Sequence, residues 1–454
     1  MLSHIIKKEI INNILSFRFA ISYVLLFALV LLAVFLMSNE YGTRQREYAS
    51  ISKKERARID QLQRIEDPRA LFRAISAVSF NGLRQPRSAS ILARGLDDEI
   101  PIEVPAYGAI RGLSSAERAG RNALREVFQA PDFVYVVNVV MSLLALLFVF
   151  DSICGEKDQG TLKLLLAHSL PRDTLLLGKW VGGYISVAMP FSMAALAGFT
   201  YVYASGALNA DGLWRFVLIY GLSLVYISVF FTLGLMISTL AHRTSTALLI
   251  ALLVWICWIL VVPNIAPVVA RLVAPVPSRQ VIESEKAAID REAQLLLNGI
   301  QKRKVYGDEK EVERIRREVS GKMRKLEQFY VERLQVQIEL TQNLARLSPS
   351  ASYLFAATRL AGTGPVLAGY FDQAMARYQH EYGRFRRELY HATIGNNPQD
   401  GDWLRSEDMP RFFITLEKVT DSLDGALFDV LLLLVFNALF FMLAYAFFLR
   451  YDVT

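Results

Sequence analysis

Six long apolar stretches dominate the sequence, and each is long enough to cross a membrane as a helix. They cover residues 17–37, 133–150, 180–208, 216–241, 244–263 and 426–449. About 20 apolar residues in a helix span roughly 30 Å of hydrocarbon, and lipid offers no hydrogen-bond partner to an irregular backbone. The stretches therefore predict an all-α membrane protein with six transmembrane helices. A hydrophobic fraction of 53% with only 20% charged residues agrees with this fold.

A cleaved signal peptide is the alternative explanation of the first stretch, since Lys7 and Lys8 precede it. The uncharged run from Phe19 to Met37 is longer than the apolar region of a typical signal peptide, and no small-x-small cleavage site follows it. We therefore expect this stretch to be retained as a membrane anchor.

Basic residues in the short loops predict the orientation of the six helices. Six crossings place both termini on one side of the membrane. The short segments on that side hold nine basic residues, namely Lys7, Lys8, Arg18, Lys157, Lys163, Arg172, Lys179, Arg243 and Arg450. The one short loop on the other side holds only Arg215. The positive-inside rule therefore predicts cytoplasmic termini and a multi-pass location in the cell (inner) membrane.

Two long segments, 38–132 and 264–425, are predicted to form a mainly helical extracytoplasmic domain. In the first segment, apolar spacing over 41–73 predicts a helix that continues outward from the membrane. Residues 95–112 are expected to form an extended piece with turns, and 115–128 a helix that returns to the second span.

The second long segment is predicted to contain a hairpin of amphipathic helices over 278–301 and 309–347. Four prolines between residues 263 and 277 are expected to break the chain before this hairpin. A further helix over 365–390 and a polar linker over 395–409 precede the sixth span. The hairpin can simply pack on itself, or it can form a dimer contact or a docking surface for an extracytoplasmic protein.

The net charge of +7 raises nucleic-acid binding as an interpretation. Most of the Lys and Arg residues lie in the two long segments, where Asp and Glu are almost as frequent. The sequence therefore predicts no basic face and no nucleic-acid partner.

The sequence carries no motif for chemistry of its own. It has no phosphate-binding P-loop, nucleophile elbow, H-E-x-x-H motif or metal-ligand cluster, and its five histidines are scattered. Cys154 and Cys257 are far apart in sequence. We therefore expect no catalytic residue, no metal site and no cofactor in this chain.

The loop over 151–179 is the most informative segment. It reads F-D-S-I-C-G-E-K-D-Q-G-T-L-K-L-L-L-A from residue 150, followed by P-R-D-T-L-L-L-G-K from residue 171. Such an amphipathic element can lie on the membrane surface, or it can insert into a groove of a cytoplasmic partner.

This loop resembles the first cytoplasmic loop of type-2 ABC transporter permeases, in particular the branch with the nitrous-oxide-reductase maturation and gliding-motility permeases. The six-span layout fits that family, and residues 1–16 resemble its interfacial connecting helix. The resemblance implies that the loop docks on a separate ATPase subunit that binds ATP and Mg²⁺, and that two permease chains form a homodimer. The long extracytoplasmic segments depart from many members of the family.

The resemblance also implies roles for individual residues. Glu156, Gly160, Thr161 and Leu162 would belong to the ATPase-coupling helix, with Arg172 close behind it. His242 and Arg243 would form a second, smaller contact with the ATPase. We add Asn138, Ser142, Trp255 and Trp258 as candidates for a substrate path along the second and fifth spans.

Two functions follow from the resemblance. The first is export of an apolar or lipid-like substrate, because the spans offer mostly Leu, Val, Phe and Ile to any path between them. The second is mechanotransmission, in which ATPase motion remodels an extracytoplasmic partner without transport. An enzyme housed in the outer segments is a third and weaker reading.

Overall fold

Six helices of the structure are long and apolar enough to cross a membrane, which confirms the predicted all-α membrane fold. The computed structural model describes residues 2–65, 67–77, 81–106, 131–162, 171–303, 309–394 and 408–450. Within these residues the six candidate spans are Phe19–Leu62, Phe133–Asp158, Arg172–Ala204, Ala210–Leu240, Thr244–Val273 and Val419–Leu449.

The helices that carry the spans are named in chain order. The N-terminal helices are α1 (Leu2–Ile14), α2 (Phe17–Gln63) and α3 (Pro68–Ala77). Helix α4 joins Phe133–Tyr135, a π-helical turn at Val136–Met141 and Ser142–Val149, and α5 is Cys154–Asp158. Next come α6 (Arg172–Ala204), α7 (Ala210–Leu240) and α8, which joins Thr244–Ile256, a π-helical turn at Cys257–Val261 and Val262–Val273.

The remaining helices follow the fifth span. They are α9 (Arg279–Arg303), α10 (Glu309–Ala345), α11 (Pro349–Ala361), α12 (Pro365–Ile394) and α13 (Val419–Leu449). The chain divides into two compact units, one formed by Met1–Trp255 with Ser352–Thr454 and the other by Ile256–Ala351.

Helix α7 lies at the centre of the transmembrane bundle in the first unit. Its residues Tyr226, Phe230 and Phe231 are fully buried. A Cβ at Gly234 would lie 2.4 Å from Val149 Cγ1, so this glycine lets α4 and α7 approach closely. The bundle end that holds α1 and the C-terminus of α13 is called the terminal end below, and the opposite end is called the far end.

Hydroxyl and amide side chains join three spans inside the bundle. Trp180 Nε1 donates to Thr232 Oγ1 at 2.8 Å, and Thr232 Oγ1 donates to Asn437 Oδ1 at 2.6 Å. Asn437 Nδ2 in turn donates to Ser228 Oγ at 2.6 Å. Because lipid cannot satisfy these groups, their mutual hydrogen bonds hold α6, α7 and α13 in one arrangement.

The expectation that prolines break the chain at 263 and 267 is wrong. Pro263 and Pro267 lie within the helical segment Val262–Val273, directly after the π-helical turn. An i to i+5 bond from the Trp258 carbonyl would need an amide hydrogen at Pro263, which proline lacks. Ser348 Oγ donates to that carbonyl instead, at 2.6 Å. The helix therefore continues, and the chain leaves it only after Val273.

Three other span starts differ from the sequence expectation. The third transmembrane helix begins at Arg172, eight residues before the predicted start at residue 180, the fourth begins at Ala210 instead of 216, and the sixth begins at Val419 instead of 426. These added turns contain charged residues, so a hydropathy pattern does not include them. The predicted return helix over 115–128 and most of the linker over 395–409 lie outside the described residues.

Helix α2 continues well beyond the membrane, as predicted, but the helix expected over 41–73 is divided, because α2 ends at Gln63 and α3 begins at Pro68. Its 47 residues measure about 70 Å, against about 30 Å of hydrocarbon. A short antiparallel sheet lies beside it, in which β1 (Asn81–Leu83) pairs with β2 (Glu103–Pro105). Only β2 falls in the segment expected to be extended.

A buried ion-pair network fixes the chain after β1 onto α2. Arg84 Nη1 lies 2.6 Å from Asp97 Oδ1, and both side chains are almost fully buried. Asp97 also accepts from Arg44 on α2 at 2.9 Å. Arg94 adds a second link to α2 through Glu40, at 2.5 Å. These ion pairs bind the loop to the helix beside the loop's buried apolar residues, which include Ile91 and Leu92.

An aromatic cluster attaches α12 to α3 and to the end of α2. Its buried residues include Leu62, Leu71, Tyr378, Tyr382 and Phe385. Burial raises the pKa of the Tyr382 hydroxyl to about 12, so this phenol stays neutral at physiological pH.

The second unit contains the helical hairpin that the sequence predicts over 278–301 and 309–347. Ile282 and Ala293 of α9 and Ile315 of α10 are buried, and Lys286 pairs with Glu327 across the hairpin. Gln337 Nε2 donates to the Ala274 carbonyl at 2.8 Å, which ties α10 to the end of α8.

The Arg84–Asp97 pair provides a stability prediction. Arg84→Ala removes the donor to Asp97 and to the carbonyls of Asp97 and Ile100, while Arg44 still faces the carboxylate. We expect a loss of about 3 kcal/mol in unfolding free energy, near the lower end for a broken buried pair. Chemical denaturation in detergent micelles measures it.

The matched control is Arg314→Ala, which removes an exposed pair with Glu311. Exposed pairs contribute about 0 to 1 kcal/mol. Equal losses in the two variants would contradict a stabilising role of the buried network.

Candidate functional site

The loop after α4 is clamped to the end of α7 through backbone and side-chain bonds. Ser238 Oγ accepts from the backbone amides of Ile153 and Cys154, at 3.0 and 3.1 Å. Lys157 Nζ donates to the Ala241 carbonyl at 3.3 Å and also to the Thr239 carbonyl. An ammonium at a helix C-terminus satisfies carbonyls that the helix leaves free. These bonds therefore fix α5 to the C-terminal end of α7.

A left-handed glycine ends α5. Gly160 has a φ of +73°, and a Cβ built there would have no neighbour within 4 Å, so a side chain would be strained by the backbone alone. Thr161 Oγ1 donates to the Glu156 carbonyl at 3.3 Å, and Leu162 is fully buried. The rest of the predicted coupling helix, from residue 163 onward, lies outside the described residues.

One buried lysine connects α5, α6 and α1. Lys179 Nζ lies 2.8 Å from Glu156 Oε1 and 3.8 Å from Glu9 Oε2, and the lysine side chain is only 6% exposed. Burial raises the pKa of the Glu9 carboxyl, although the Lys179 charge lowers it. A single ammonium thus serves two carboxylates, so the position of each helix depends on the others.

Helix α1 can approach this lysine because α6 has glycines on the facing side. A Cβ at Gly178 would lie 2.7 Å from Ile5 Cγ2, and one at Gly182 would lie 2.8 Å from Glu9 Cβ. Any larger residue at these two positions would push α1 away from α6 and lengthen the Glu9–Lys179 distance.

The other predicted coupling residues lie at the same terminal end. Arg172 Nη1 donates to the Leu449 carbonyl at 2.7 Å and so caps α13. His242 and Arg243 are exposed in the turn between α7 and α8. The next residue, Thr244, donates to Asp158 Oδ2 at 3.4 Å, which places this turn against α5.

The structure thus gathers the seven predicted coupling residues at one end of the bundle, but it gives them different environments. Gly160, His242 and Arg243 are exposed, whereas Leu162 is buried and Glu156 faces Lys179. Sequence reasoning missed Lys179 and Glu9 as members of the site. A lysine within an apolar helix was the available signal, because a buried ammonium requires a carboxylate partner.

Three of the four predicted substrate-path residues form a hydrogen-bonded chain between α4 and α8. Trp255 Nε1 donates to Ser142 Oγ at 2.9 Å, and Ser142 Oγ donates to the Asn138 carbonyl at 2.5 Å. Tyr226 of α7, which sequence reasoning missed, donates to Asn138 Oδ1 at 2.8 Å. Asn138 and Ser142 are buried, so these bonds pack the helices in this conformation.

The fourth path residue, Trp258, lies in the π-helical turn of α8, where its carbonyl accepts from Ser348. Asn138 lies in the π-helical turn of α4. π-Helical turns frequently occur at functional sites. The second and fifth spans therefore share an unusual backbone feature at the predicted positions.

An apolar cleft lies between α2, α4 and α6. It is lined by residues such as Ser22, Tyr23, Leu144, Val187 and Pro190. Its walls belong to membrane-spanning segments.

The loop geometry, the six spans and the N-terminal helix fit one transporter family. The profile of the ABC-2 family transporter proteins matches residues 3–453. The chain belongs to this family. It is therefore a multi-pass membrane protein of the ABC permease type, a kind of subunit that associates with an ATPase subunit and is generally not an enzyme itself.

Two curated proteins are similar to part of the chain, and both are named "Probable ABC transporter permease protein NosY". The protein from Stutzerimonas stutzeri is 35% identical over 132 residues, and the protein from Pseudomonas aeruginosa is 37% identical over 130 residues. Each match covers 28% of this chain and 46% of the relative. The chain thus matches less than half the length of these relatives.

Lys179 provides a test of the terminal end. Lys179→Met leaves Glu9 and Glu156 as neighbouring carboxylates without their shared counter-ion. We expect α1 to detach, because an uncompensated buried charge costs about 3 kcal/mol or more. Limited trypsin digestion measures this as faster cleavage after Lys7 and Lys8.

The control for that digestion is Lys322→Met, since the ion pair of Lys322 with Glu318 is solvent-exposed. This control should leave the cleavage rate unchanged. Unchanged cleavage in Lys179→Met as well would show that α1 is held without the lysine.

Proposed function

We propose that this chain is a permease subunit that couples ATP hydrolysis by a partner ATPase to export of an apolar or lipid-like substrate. Two copies would assemble with two ATPase subunits in the cell (inner) membrane, with their termini in the cytoplasm. ATP and Mg²⁺ would be held by the ATPase. Family membership supports the permease role, and the nine basic residues in the short loops on the terminal side support the orientation.

The apolar cleft between α2, α4 and α6 is the observation that carries the choice of substrate. Its lining offers almost no polar atoms, and the membrane-facing sides of the spans are also apolar. A polar solute would lose its hydration in such a cleft, whereas an acyl chain would lose nothing. This arrangement favours lipid-like cargo.

The ATPase would contact the exposed part of the terminal end. Gly160, His242 and Arg243 are available there, together with exposed Asp158 and Gln159. Glu156 and Leu162 would act behind this surface, because one is tied to Lys179 and the other is buried. The inward residues would pass motion of the contact surface to α6 and α1.

Coupling can be measured with the complex in proteoliposomes. Glu156→Ala breaks the link from α5 to α6, so we expect the permease-dependent stimulation of ATPase activity to fall several-fold while membrane insertion stays normal. Thr161→Pro, which disturbs the end of α5, should act in the same direction.

The control variant is Glu318→Ala on the exposed face of α10, which should keep full stimulation. Full stimulation in Glu156→Ala would refute the assignment of this loop to ATPase coupling.

Mechanotransmission is the second candidate, and two observations favour it. Helices α9 and α10 have 25 and 37 residues, far more than a loop between spans requires. Asn138 and Ser142 also form hydrogen bonds with other residues of the bundle. Their polar groups therefore do not line an open path in this conformation. ATPase motion would then act on an extracytoplasmic protein.

A substitution in the cleft distinguishes the two functions. Ser22→Trp fills the cleft, whereas Val24→Trp places the same side chain on the exposed side of α2, where Val24 is 66% exposed. For export, ATP-dependent transfer of a fluorescent phospholipid analogue should fall at least several-fold in Ser22→Trp only.

Mechanotransmission predicts a different pattern in the same vesicles. The wild-type complex would transfer no lipid. In a complex of two Arg314→Cys chains, each spin-labelled at that cysteine, ATP would change the distance between the two labels. Equal transfer by the wild type and Ser22→Trp would remove the cleft from the export proposal.

A further inference from the structure

A small polar pocket lies at the far end of the bundle, away from the coupling site. Its lining includes Arg87, Arg359, Gly362, Tyr370 and Glu417. Two arginines and one glutamate among these residues make the lining suited to an anionic group.

Two guanidinium groups meet at Gly362. A Cβ at this position would lie 1.7 Å from Arg87 Nη1 and 3.2 Å from Arg215 Nη1. Gly362 has a φ of +68°, so both its backbone conformation and its lack of a side chain permit the approach. Like charges at such short range repel each other unless an anion lies nearby.

The carboxylate in the pocket does not neutralise Arg87. Glu417 Oε1 accepts from Arg359 at 2.9 Å and from the Tyr370 hydroxyl at 3.2 Å. Arg215 uses its own donors on Asp211, the Leu360 and Glu417 carbonyls and Ser422. Among the described residues the Arg87 side chain donates one hydrogen bond, to the Gly362 carbonyl at 2.9 Å, and its buried Nε has no partner.

The positive charge without a carboxylate partner is therefore concentrated at Arg87, beside the Arg359–Glu417 pair. The buried Nε of Arg359 also lacks a partner in the described part of the chain. Burial, and next to it the Arg215 charge, lower the pKa of Arg87 to about 10, so the group stays charged at neutral pH but is poorly compensated. An oxyanion with several acceptor atoms would supply the counter-charge that Arg87 lacks and would be shared with Arg359.

The pocket lies at the level where the spans leave the membrane. Arg215 is in the second turn of α7, and Ser422 is in the first turn of α13. Trp214 and Tyr203 at the same end are more than 60% exposed. Exposed Trp and Tyr near span ends mark the headgroup region of a bilayer. Phosphate groups are abundant at that depth.

We propose that this pocket binds a phosphate group, with Arg87 and Arg359 as its direct ligands. The phosphate can belong to a lipid headgroup or to a free phosphate ion, and the chemistry of recognition is the same. Arg215 supports the site from behind by fixing the Glu417 backbone and Ser422. Phosphate binding at this pocket does not require that the chain exports a substrate.

Two probes distinguish the sources of the phosphate. In maltoside micelles, sodium phosphate is compared with sodium chloride at equal ionic strength, and the unfolding temperature of the full chain is measured. In native mass spectrometry, retention of phosphatidylglycerol is compared with that of diacylglycerol with the same acyl chains, which lacks the phosphate.

We expect the Arg87→Gln/Arg359→Gln double variant to lose the response of the wild type. A free-phosphate site would raise the wild-type unfolding temperature by roughly 2 °C or more in phosphate. A headgroup site would instead make the wild type retain phosphatidylglycerol roughly tenfold better than the double variant, with equal retention of diacylglycerol.

Arg87→Lys is a second, milder variant that keeps the test valid if the double variant misfolds, because it keeps the positive charge and leaves the Arg359–Glu417 pair intact. It should weaken the response without abolishing it. The control is Arg384→Gln, an exposed arginine on α12. The proposal is overturned if neither probe separates wild type from the double variant, or if Arg384→Gln lowers the response equally.

Discussion

The absence of water inside the bilayer is the constraint on which the arrangement of the bundle depends. Lipid satisfies no donor or acceptor, so buried polar groups in the spans must bind one another. The Trp180–Thr232–Asn437 chain and the Trp255–Ser142–Asn138 chain meet this requirement, and each ties helices that are distant in sequence. Helix packing here is therefore specified by a few polar contacts within an otherwise uniform apolar surface.

The spans could be predicted from the sequence because hydropathy is a local property, whereas the features that were missed depend on partners elsewhere in the chain. The prolines at and after residue 263 indicated a break in the helix. The neighbouring sequence does not show that the distant Ser348 donates a hydrogen bond to the Trp258 carbonyl, which Pro263 leaves without a donor. Strand β1 is only three residues long, and its partner β2 lies some 20 residues away. In the candidate site, the loop motif identified Glu156, but the lysine and second carboxylate around it required the fold.

The candidate site at the terminal end and the far-end pocket differ in how their charges are paired. At the terminal end one buried ammonium is shared by two carboxylates, and these ion pairs hold helices α1, α5 and α6 together. At the far end three guanidiniums face Glu417 and the more exposed Asp211. The first arrangement favours internal cohesion, and the second leaves positive charge available to a ligand.

The length of α2 has a geometric consequence. The helix runs from the terminal end through the membrane and on to the buried ion pairs and the aromatic cluster, without a proline or a π-helical turn. For a rigid helix of roughly 70 Å, a tilt of about 5° at the inner end would displace the outer end by about 6 Å. A small rotation beside α1 would therefore become a much larger displacement outside the bilayer.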